Sequence, residues 1–259
     1  MSSKLIQSST NDYSSPLYQS GEGQPLVLLH GFSGNFYDHW EQQLNNSVIT
    51  SNYHIIAPNI FSFTPKTLKD IRRNFNPFSD LKNLRLLLKS HMKLKKPLIL
   101  VGYSIGGALA LTYASMFPYD VLGIILVSPI SILNSFIPSV PTFSKSKKLV
   151  QNGSSFGNAA WIVFKKLVKA FSFLNLLLNN DRIIKFLKNF QELNIPILLT
   201  YGTKDSINPS KNYDLLRKYL PHKTKIVPFE GDHSFHKSES EMFNSILLSF
   251  CNDVQRELK

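Results

Sequence analysis

The chain has 259 residues, of which 43% are hydrophobic, 12% aromatic and 18% charged, and this composition excludes a disordered or collagen-like protein. Its one cysteine, Cys251, cannot form an internal disulfide, which excludes a disulfide-stapled secreted module and favours a reducing compartment. The net charge of +12 raises the question of an anionic partner such as nucleic acid or a membrane surface.

The positive charge comes mainly from lysine, with 23 lysines against 6 arginines. A bias toward lysine and asparagine is what an AT-rich genome encodes whatever the protein does, so we favour a solvated basic surface. Nucleic-acid binding would rest on charge alone, because the sequence contains no recognisable nucleic-acid-binding motif.

The N-terminal segment Met1–Thr10 contains one basic residue and no apolar stretch of signal-peptide length. No uninterrupted apolar run in the sequence approaches the roughly 18–20 residues that span a bilayer. We therefore expect a soluble cytoplasmic protein.

Along the chain, short apolar runs rich in β-branched residues alternate with longer segments that carry apolar residues at helical spacing. The predicted strands are Leu26–Leu29, Tyr53–Ala57, Pro97–Tyr103, Val121–Ser128, Ile195–Tyr201 and Thr224–Glu230. The predicted helices are Asp80–Met92, Ile105–Met116, Ser210–Tyr219 and Ser238–Cys251. The strand runs are continuously apolar, as in parallel strands covered on both faces. This order predicts a single α/β domain over residues 1–259 with a mostly parallel sheet.

Residues 130–190 interrupt the alternation, since they contain no strand-like run bounded by turns. A Pro/Ser segment and a Gly/Asn/Ser stretch come first, and two helical stretches follow. The segment has nine basic residues against one acidic residue, Asp181, so it contributes +8 of the total charge of +12. Because about 60 residues are marginal as a separate domain, we interpret the segment as an insertion between two halves of the sheet.

A predicted nucleophile lies in the sequence Gly102-Tyr-Ser104-Ile-Gly106, which follows a predicted strand and opens a predicted helix. On so tight a strand-to-helix turn a serine projects its hydroxyl above the carboxyl edge of the sheet, and the glycines leave room for the turn. The amino end of the helix also offers N–H groups and partial positive charge to an anion that forms beside Ser104. A glycine-rich turn that serves packing alone is the alternative.

A serine hydroxyl needs a base to remove its proton and a carboxylate to orient that base. His233 comes directly after the last predicted strand, on a loop at the same sheet edge as Ser104, and is the predicted base. The alternatives are that His236, three residues further on, has this role, or that His233 is an ordinary surface histidine.

The predicted acid is Asp205, which directly follows the penultimate predicted strand and so lies at the same carboxyl edge. The loop after Val121–Ser128 contains neither Asp nor Glu, so no carboxylate competes from there. Asp232 is adjacent to His233, and neighbouring residues rarely point their side chains at each other. A solvated surface carboxylate is the alternative interpretation of Asp205.

The attacked carbonyl also needs backbone N–H donors where its negative charge develops. The segment Leu26–Gly34 is a predicted strand that runs into a glycine-containing loop about 70 residues before Ser104. The N–H of Phe32 in this loop and the N–H of Ile105, directly after the nucleophile, form the predicted oxyanion hole.

These motifs together resemble the α/β-hydrolase superfamily, in its branch of small esterases, lipases and related hydrolases. The matching motifs, in chain order, are His30-Gly-Phe32, Gly102-x-Ser104-x-Gly106, Tyr201-Gly-x-x-Asp205-x-x-x-Pro209 and Gly231-x-His233. The resemblance runs from about Gly21 to Cys251. It implies a mostly parallel eight-stranded central sheet flanked by helices, with a helical cap inserted after the sixth strand, where residues 130–190 fall.

The implied function is that of a serine hydrolase, esterase-like or lipase-like, that cleaves a small-molecule carboxylic ester through an acyl-enzyme. It requires no cofactor, and the sequence contains no cluster with metal-ligand spacing. Thioesterases, carbon–carbon bond hydrolases and acyltransferases use the same constellation. A binding module that kept the fold is a further alternative, although it would have no need of the complete residue set.

The insertion contains one segment, Trp161–Leu178, whose lysines gather on one side of a predicted helix. Lys165, Lys166, Lys169 and Ser172 fall within an arc of about 120°, and most of the remaining circumference is apolar. Two interpretations stay open. The apolar arc lines an acyl pocket or lies on an anionic membrane surface, or the helix packs on the sheet with its lysines in water.

Overall fold

The computed structural model describes residues 17–31, 34–60, 77–91, 94–130 and 190–257. Its strands are β1 (Leu17–Ser20), β2 (Gln24–Leu29), β3 (Tyr53–Pro58), β4 (Leu98–Tyr103), β5 (Val121–Val127), β6 (Ile197–Gly202) and β7 (Lys225–Phe229). They form one seven-stranded sheet in the order β1-β3-β2-β4-β5-β6-β7. β1 is antiparallel to β3, and the other pairs are parallel.

Helices connect the strands and cover both faces of the sheet. They are α1 (Phe36–Leu44), α2 (Ser47–Asn52), α3 (Pro77–Leu86), α4 (Ile105–Met116), α5 (Ser210–Arg217), α6 (Phe235–Ser238) and α7 (Ser240–Arg256). A π-helical turn, Leu87–His91, follows α3. Of the helices in the ranges given above, none is both long and apolar enough to cross a bilayer.

The central strands are apolar on both faces because both faces are covered. Every residue of β2, β4 and β5 is buried. Along β2, Val27 and Leu29 belong to the apolar cluster that includes α4, whereas Leu26 and Leu28 belong to the cluster that includes α1 and α7. This alternation of side chains explains why a parallel strand in this position is a continuous apolar run.

The α/β architecture and all six predicted strands are confirmed, with strand ends that differ by at most two residues. The four predicted helices are present as α3, α4, α5 and α7, whereas β1, α1, α2 and α6 were not predicted. The eighth strand that the family resemblance implies is not among the described residues. The insertion at 130–190 and its segment Trp161–Leu178 also lie outside them, apart from Ile130 and Phe190.

The parallel strands place three loops at one edge of the sheet. Strands β4, β6 and β7 point in the same direction, so the residues that follow each of them emerge at the same carboxyl edge. In folds of this kind ligands bind at that edge. The three side chains selected from the sequence, Ser104, Asp205 and His233, follow these three strands.

Candidate active site

Ser104 occupies the turn between β4 and α4. Its φ of +55° and ψ of −117° form a backbone conformation that residues other than glycine rarely adopt. The glycines on either side are required by close contacts. A Cβ atom at Gly102 would collide with the backbone of Gly106, and a Cβ atom at Gly106 would collide with the carbonyl oxygen of Leu29. The turn therefore needs glycine at both positions, as the sequence motif predicts.

The end of β5 fixes the backbone of Ser104. The Ser104 N–H donates to the carbonyl oxygen of Val127 at 2.9 Å, and the Ser104 carbonyl oxygen accepts from the N–H of Ile130 at 3.1 Å. Because both backbone groups are paired, the strained turn is held in one orientation. Its side chain is buried, with 5% of the residue exposed.

His233 reaches the site on the loop that follows β7, here called the histidine loop (residues 230–234). This loop passes directly over the end of β6, where a Cβ atom at Gly202 would collide with the carbonyl oxygens of Gly231 and Asp232. The N–H of Lys204 donates to the Gly231 carbonyl oxygen at 2.9 Å. Gly202 thus allows the two loops to approach closely enough for their side chains to meet.

A continuous chain of hydrogen bonds joins the three selected side chains. His233 Nδ1 lies 2.7 Å from Asp205 Oδ2, and His233 Nε2 lies 3.0 Å from Ser104 Oγ. An ionised carboxylate only accepts hydrogen bonds, so Nδ1 carries the ring proton and the bare Nε2 accepts from the Ser104 hydroxyl. In this tautomer the imidazole is oriented to take the serine proton.

Asp205 accepts four hydrogen bonds from residues that the structure describes. Its Oδ1 accepts from the backbone N–H groups of Ile207 at 2.9 Å and Asn208 at 2.8 Å, and its Oδ2 accepts from His233 and from the hydroxyl of Tyr213 at 2.8 Å. Burial by itself would raise the pKa of Asp205, but these donors outweigh it and hold that pKa below its usual value. The carboxylate is therefore ionised at neutral pH.

Asp232 and His236, the alternative acid and base, make hydrogen bonds outside the chain that joins Ser104 to Asp205. Asp232 accepts the backbone N–H of Ser234 at 2.7 Å, within its own loop. His236 is fully buried in α6, and its Nε2 lies 3.0 Å from the carbonyl oxygen of His39, to which it donates. Neither side chain therefore joins the hydrogen-bonded chain between Ser104 and Asp205.

One of the two predicted oxyanion donors is described. Ile105 is the first residue of α4, and the first N–H groups of a helix have no acceptor within the helix. Phe32 lies outside the described residues. The histidine two residues before it, His30, is fixed, since its Nε2 accepts from the N–H of Ile60 at 2.9 Å and its Nδ1 donates to the carbonyl oxygen of Gly31 at 2.6 Å.

Rings pack behind the hydrogen-bonded chain, around Tyr103. The Tyr103 ring centroid lies 5.3 Å from His233, 4.4 Å from His236 and 5.0 Å from His39, and the Tyr103 hydroxyl is 2.9 Å from Ser234 Oγ. Burial lowers the pKa of His39 to about 4 and that of His236 to about 3. Both histidines are therefore neutral packing groups at neutral pH.

The residues that support Asp205 were not predicted from the sequence. Tyr213 and Asn208 are both buried, and Asn208 Nδ2 donates to the carbonyl oxygen of Pro129 at 2.8 Å. A signal existed for Tyr213, because it shares the apolar spacing of Leu216 and Leu220, and a buried tyrosine hydroxyl needs a partner. In the described part of the chain, no group of three or more histidine, cysteine or acidic side chains could hold a metal ion.

Comparison with known proteins gives one family match and several distant relatives. A family model described as the α/β-hydrolase fold matches residues 24–155, just over half of the chain. Lipase 1 of Psychrobacter immobilis is 25% identical over 234 residues, which cover 82% of this chain and 71% of that lipase.

Two solved structures are similar to the chain in fold. A candidate lipase from Acinetobacter baumannii AYE superposes with a TM-score of 0.67 at 20% identity, over 93% of this chain and 88% of its own. A meta-cleavage product hydrolase from Pseudomonas fluorescens IP01 superposes with a TM-score of 0.60 at 18% identity, over 92% of this chain and 93% of its own.

Proposed function

Because the chain belongs to the α/β-hydrolase family, we propose that it is a serine hydrolase that cleaves carboxylic esters through an acyl-enzyme. The observation that carries the proposal is the continuous hydrogen-bonded chain from the Ser104 hydroxyl through His233 to Asp205. A hydroxyl, a neutral imidazole and a buried carboxylate in this order are what activation of a serine nucleophile requires.

In the proposed acylation step, Ser104 Oγ attacks the acyl carbonyl carbon while His233 Nε2 takes the hydroxyl proton. The carbonyl π electrons move onto the oxygen, where the N–H groups of Ile105 and Phe32 stabilise the negative charge. The tetrahedral intermediate then collapses, the ester C–O bond breaks, and the leaving alcohol takes the proton from His233.

In the proposed deacylation step, His233 takes a proton from water as that water attacks the acyl-enzyme carbonyl. The bond to Ser104 Oγ breaks, the carboxylic acid leaves, and the serine regains its proton from His233. Asp205 holds the imidazole tautomer throughout and stabilises the imidazolium in both steps.

Esters are the proposed substrates because Lipase 1 of Psychrobacter immobilis, a relative that matches over most of both chains, is a lipase. Thioesters, carbon–carbon bonds and acyl transfer use the same nucleophile and base, and pocket shape separates them. A preference for medium or long acyl chains follows if the apolar arc of residues 161–178 lines the acyl pocket.

A labelling experiment with a fluorophosphonate probe tests the nucleophile directly. Ser104 Oγ forms a bond to phosphorus and fluoride leaves, so the wild-type protein is labelled and Ser104→Ala is not. Equal labelling of both proteins would contradict the assignment of Ser104, and no labelling of a folded wild type would favour the binding-module alternative.

A panel of nitrophenyl esters from acetate to palmitate then tests the bond and the acyl chain. We expect turnover of the wild type with highest kcat/KM on medium or long chains. Best turnover of acetate would contradict the acyl-pocket part of the proposal, and turnover of matched thioesters without turnover of esters would contradict the ester part.

A further inference from the structure

We propose that Tyr213 is a positioning residue that sets how strongly Asp205 attracts the imidazole proton of His233. This inference rests on the proposed serine hydrolase function, because it assigns a role in tuning the base of that reaction. It goes beyond the three-residue chain by adding a fourth side chain from α5.

The geometry divides the four donors of Asp205 into two pairs. The Oδ1 pair comes from backbone N–H groups, which any residue other than proline would supply at those positions. The Oδ2 pair comes from the Tyr213 hydroxyl at 2.8 Å and from His233 Nδ1 at 2.7 Å. Tyr213 and His233 therefore donate to the same oxygen atom, and each donor reduces the negative charge that the other experiences.

Packing fixes the Tyr213 hydroxyl in this position. The residue is 2% exposed, and its ring stacks on Tyr201 with centroids 4.4 Å apart and planes inclined by 19°. Burial, followed by the charge of Asp205, raises the pKa of Tyr213 above its usual value, so the phenol keeps its proton and stays a donor. The phenol group supplies a constant dipole whose positive end points at Oδ2.

The consequence follows from electrostatics in a buried site. The positive end of the Tyr213 dipole opposes the positive charge of a protonated imidazole on the other side of Oδ2. Without the hydroxyl, Asp205 would hold the imidazolium more strongly, and the base would stay protonated to higher pH. Tyr213 thus helps to keep His233 neutral and able to accept the serine proton.

Other titratable and charged groups lie on the elements around Asp205 and His233. They are Tyr103 on β4, Tyr201 on β6, Asp232 in the histidine loop, His236 on α6 and the exposed ion pair of Lys204 with Glu230 at 2.9 Å. Among the described residues, none of these groups donates a hydrogen bond to Asp205. Tyr213 is therefore the group whose removal changes the charge on Oδ2 most directly.

The test is Tyr213→Phe, which keeps the ring and its stack on Tyr201 but removes the hydroxyl. We expect the acid limb of the kcat/KM profile to move to higher pH by about half a unit, the size of one modest hydrogen bond. In proton NMR, the resonance of the His233 Nδ1–H should move downfield, because Oδ2 then accepts one bond instead of two. The matched control, Tyr201→Phe, removes a neighbouring hydroxyl that makes no bond to Asp205 and should leave both readouts in place.

Each outcome decides the question. A Tyr213→Phe protein with lower kcat but an unmoved acid limb and an unmoved Nδ1–H resonance would show a packing role and overturn the proposal. If the wild type hydrolysed no ester, the proposed function would fail, while the resonance would still test the coupling. If Tyr213→Phe does not fold, the second variant is 3-fluorotyrosine at position 213, whose hydroxyl is a stronger donor. It should move the acid limb and the Nδ1–H resonance in the opposite direction. If neither moved, the proposal would be overturned.

Discussion

The side-chain amide of Asn208 donates a hydrogen bond of 2.8 Å to the carbonyl oxygen of Pro129, which lies 79 residues earlier in the chain. Pro129 belongs to the short segment that follows β5. Val127 and Ile130, on either side of it in the chain, hold the backbone of Ser104 by hydrogen bonds. Asn208 also donates its own N–H to Asp205. One asparagine therefore connects the loop of the proposed acid to the segment that fixes the proposed nucleophile.

We expect Asn208→Ala to reduce both stability and activity. The change leaves the buried Pro129 carbonyl oxygen without this donor, which should lower the free energy of unfolding by about 1–3 kcal/mol. Loss of the link should also let the acid and nucleophile loops shift, and kcat/KM should fall by about 10-fold to 100-fold. Urea unfolding and ester kinetics measure the two effects.

The matched control for this prediction is Asn212→Ala. Asn212 Nδ2 donates to Asn208 Oδ1 at 2.8 Å, so the control removes a bond one step further from the site. It should cost stability with a smaller effect on kcat/KM. Wild-type kcat/KM in Asn208→Ala, despite lost stability, would contradict a role of Asn208 in aligning the two loops.

Two substitutions of Ser104 should separate the loss of its nucleophilic hydroxyl from the relief of its backbone strain. Both Ser104→Ala and Ser104→Gly should lower ester hydrolysis by about 10⁴-fold to 10⁶-fold, because only binding and oxyanion stabilisation remain. A φ of +55° with a ψ of −117° costs a non-glycine residue about 1–3 kcal/mol. Ser104→Gly should therefore unfold at a higher urea concentration than Ser104→Ala. A loss of activity below about tenfold would exclude Ser104 as the nucleophile.

The two neighbouring carboxylates should differ sharply when each is neutralised. Asp205→Asn should lower kcat by about 10⁴-fold, since the amide no longer holds the imidazole tautomer. Asp232→Asn should cost less than about tenfold, because Asp232 accepts a backbone N–H in its own loop and makes no bond to His233. The reverse order of these effects would reassign the acid to Asp232.

The sequence predicted the sheet edge and the three side chains on it because both depend on local patterns. Continuous apolar runs identified the parallel strands, and a polar residue directly after such a run must lie at the carboxyl edge. By contrast β1, with the sequence Leu-Tyr-Gln-Ser, is too short and polar to be recognised, and only its pairing with β3 makes it a strand.

Two other features were not predicted from the sequence, for different reasons. The start of α1 does carry a sequence signal, since Asn35 and Asp38 form a reciprocal capping box. The bonds of Tyr213 and Asn208 carry no such signal. The Tyr213 bond depends on how α5 lies against the loop that carries Asp205, and the Asn208 bond depends on how that loop lies against the segment after β5. Residue spacing along the chain determines neither arrangement.

The last prediction concerns the pH dependence of stability, which the buried histidines of the ring cluster should dominate above pH 4. Burial lowers the pKa of His39 to about 4 and that of His236 to about 3, whereas an unfolded histidine titrates near 6.5. Between these values the unfolded chain binds more protons than the folded one, so the free energy of unfolding falls as the pH falls.

Each of the two histidines should lower the free energy of unfolding by about 2 kcal/mol between pH 7 and pH 5. In His236→Gln a neutral amide can replace the donor to the His39 carbonyl oxygen. Urea unfolding at pH 7, 6 and 5 should therefore show a loss about 2 kcal/mol smaller than that of the wild type. The control His222→Gln, in an exposed loop, should show the wild-type loss. Equal losses in His236→Gln and the wild type would mean that His236 takes up its proton as readily in the folded protein as in the unfolded chain.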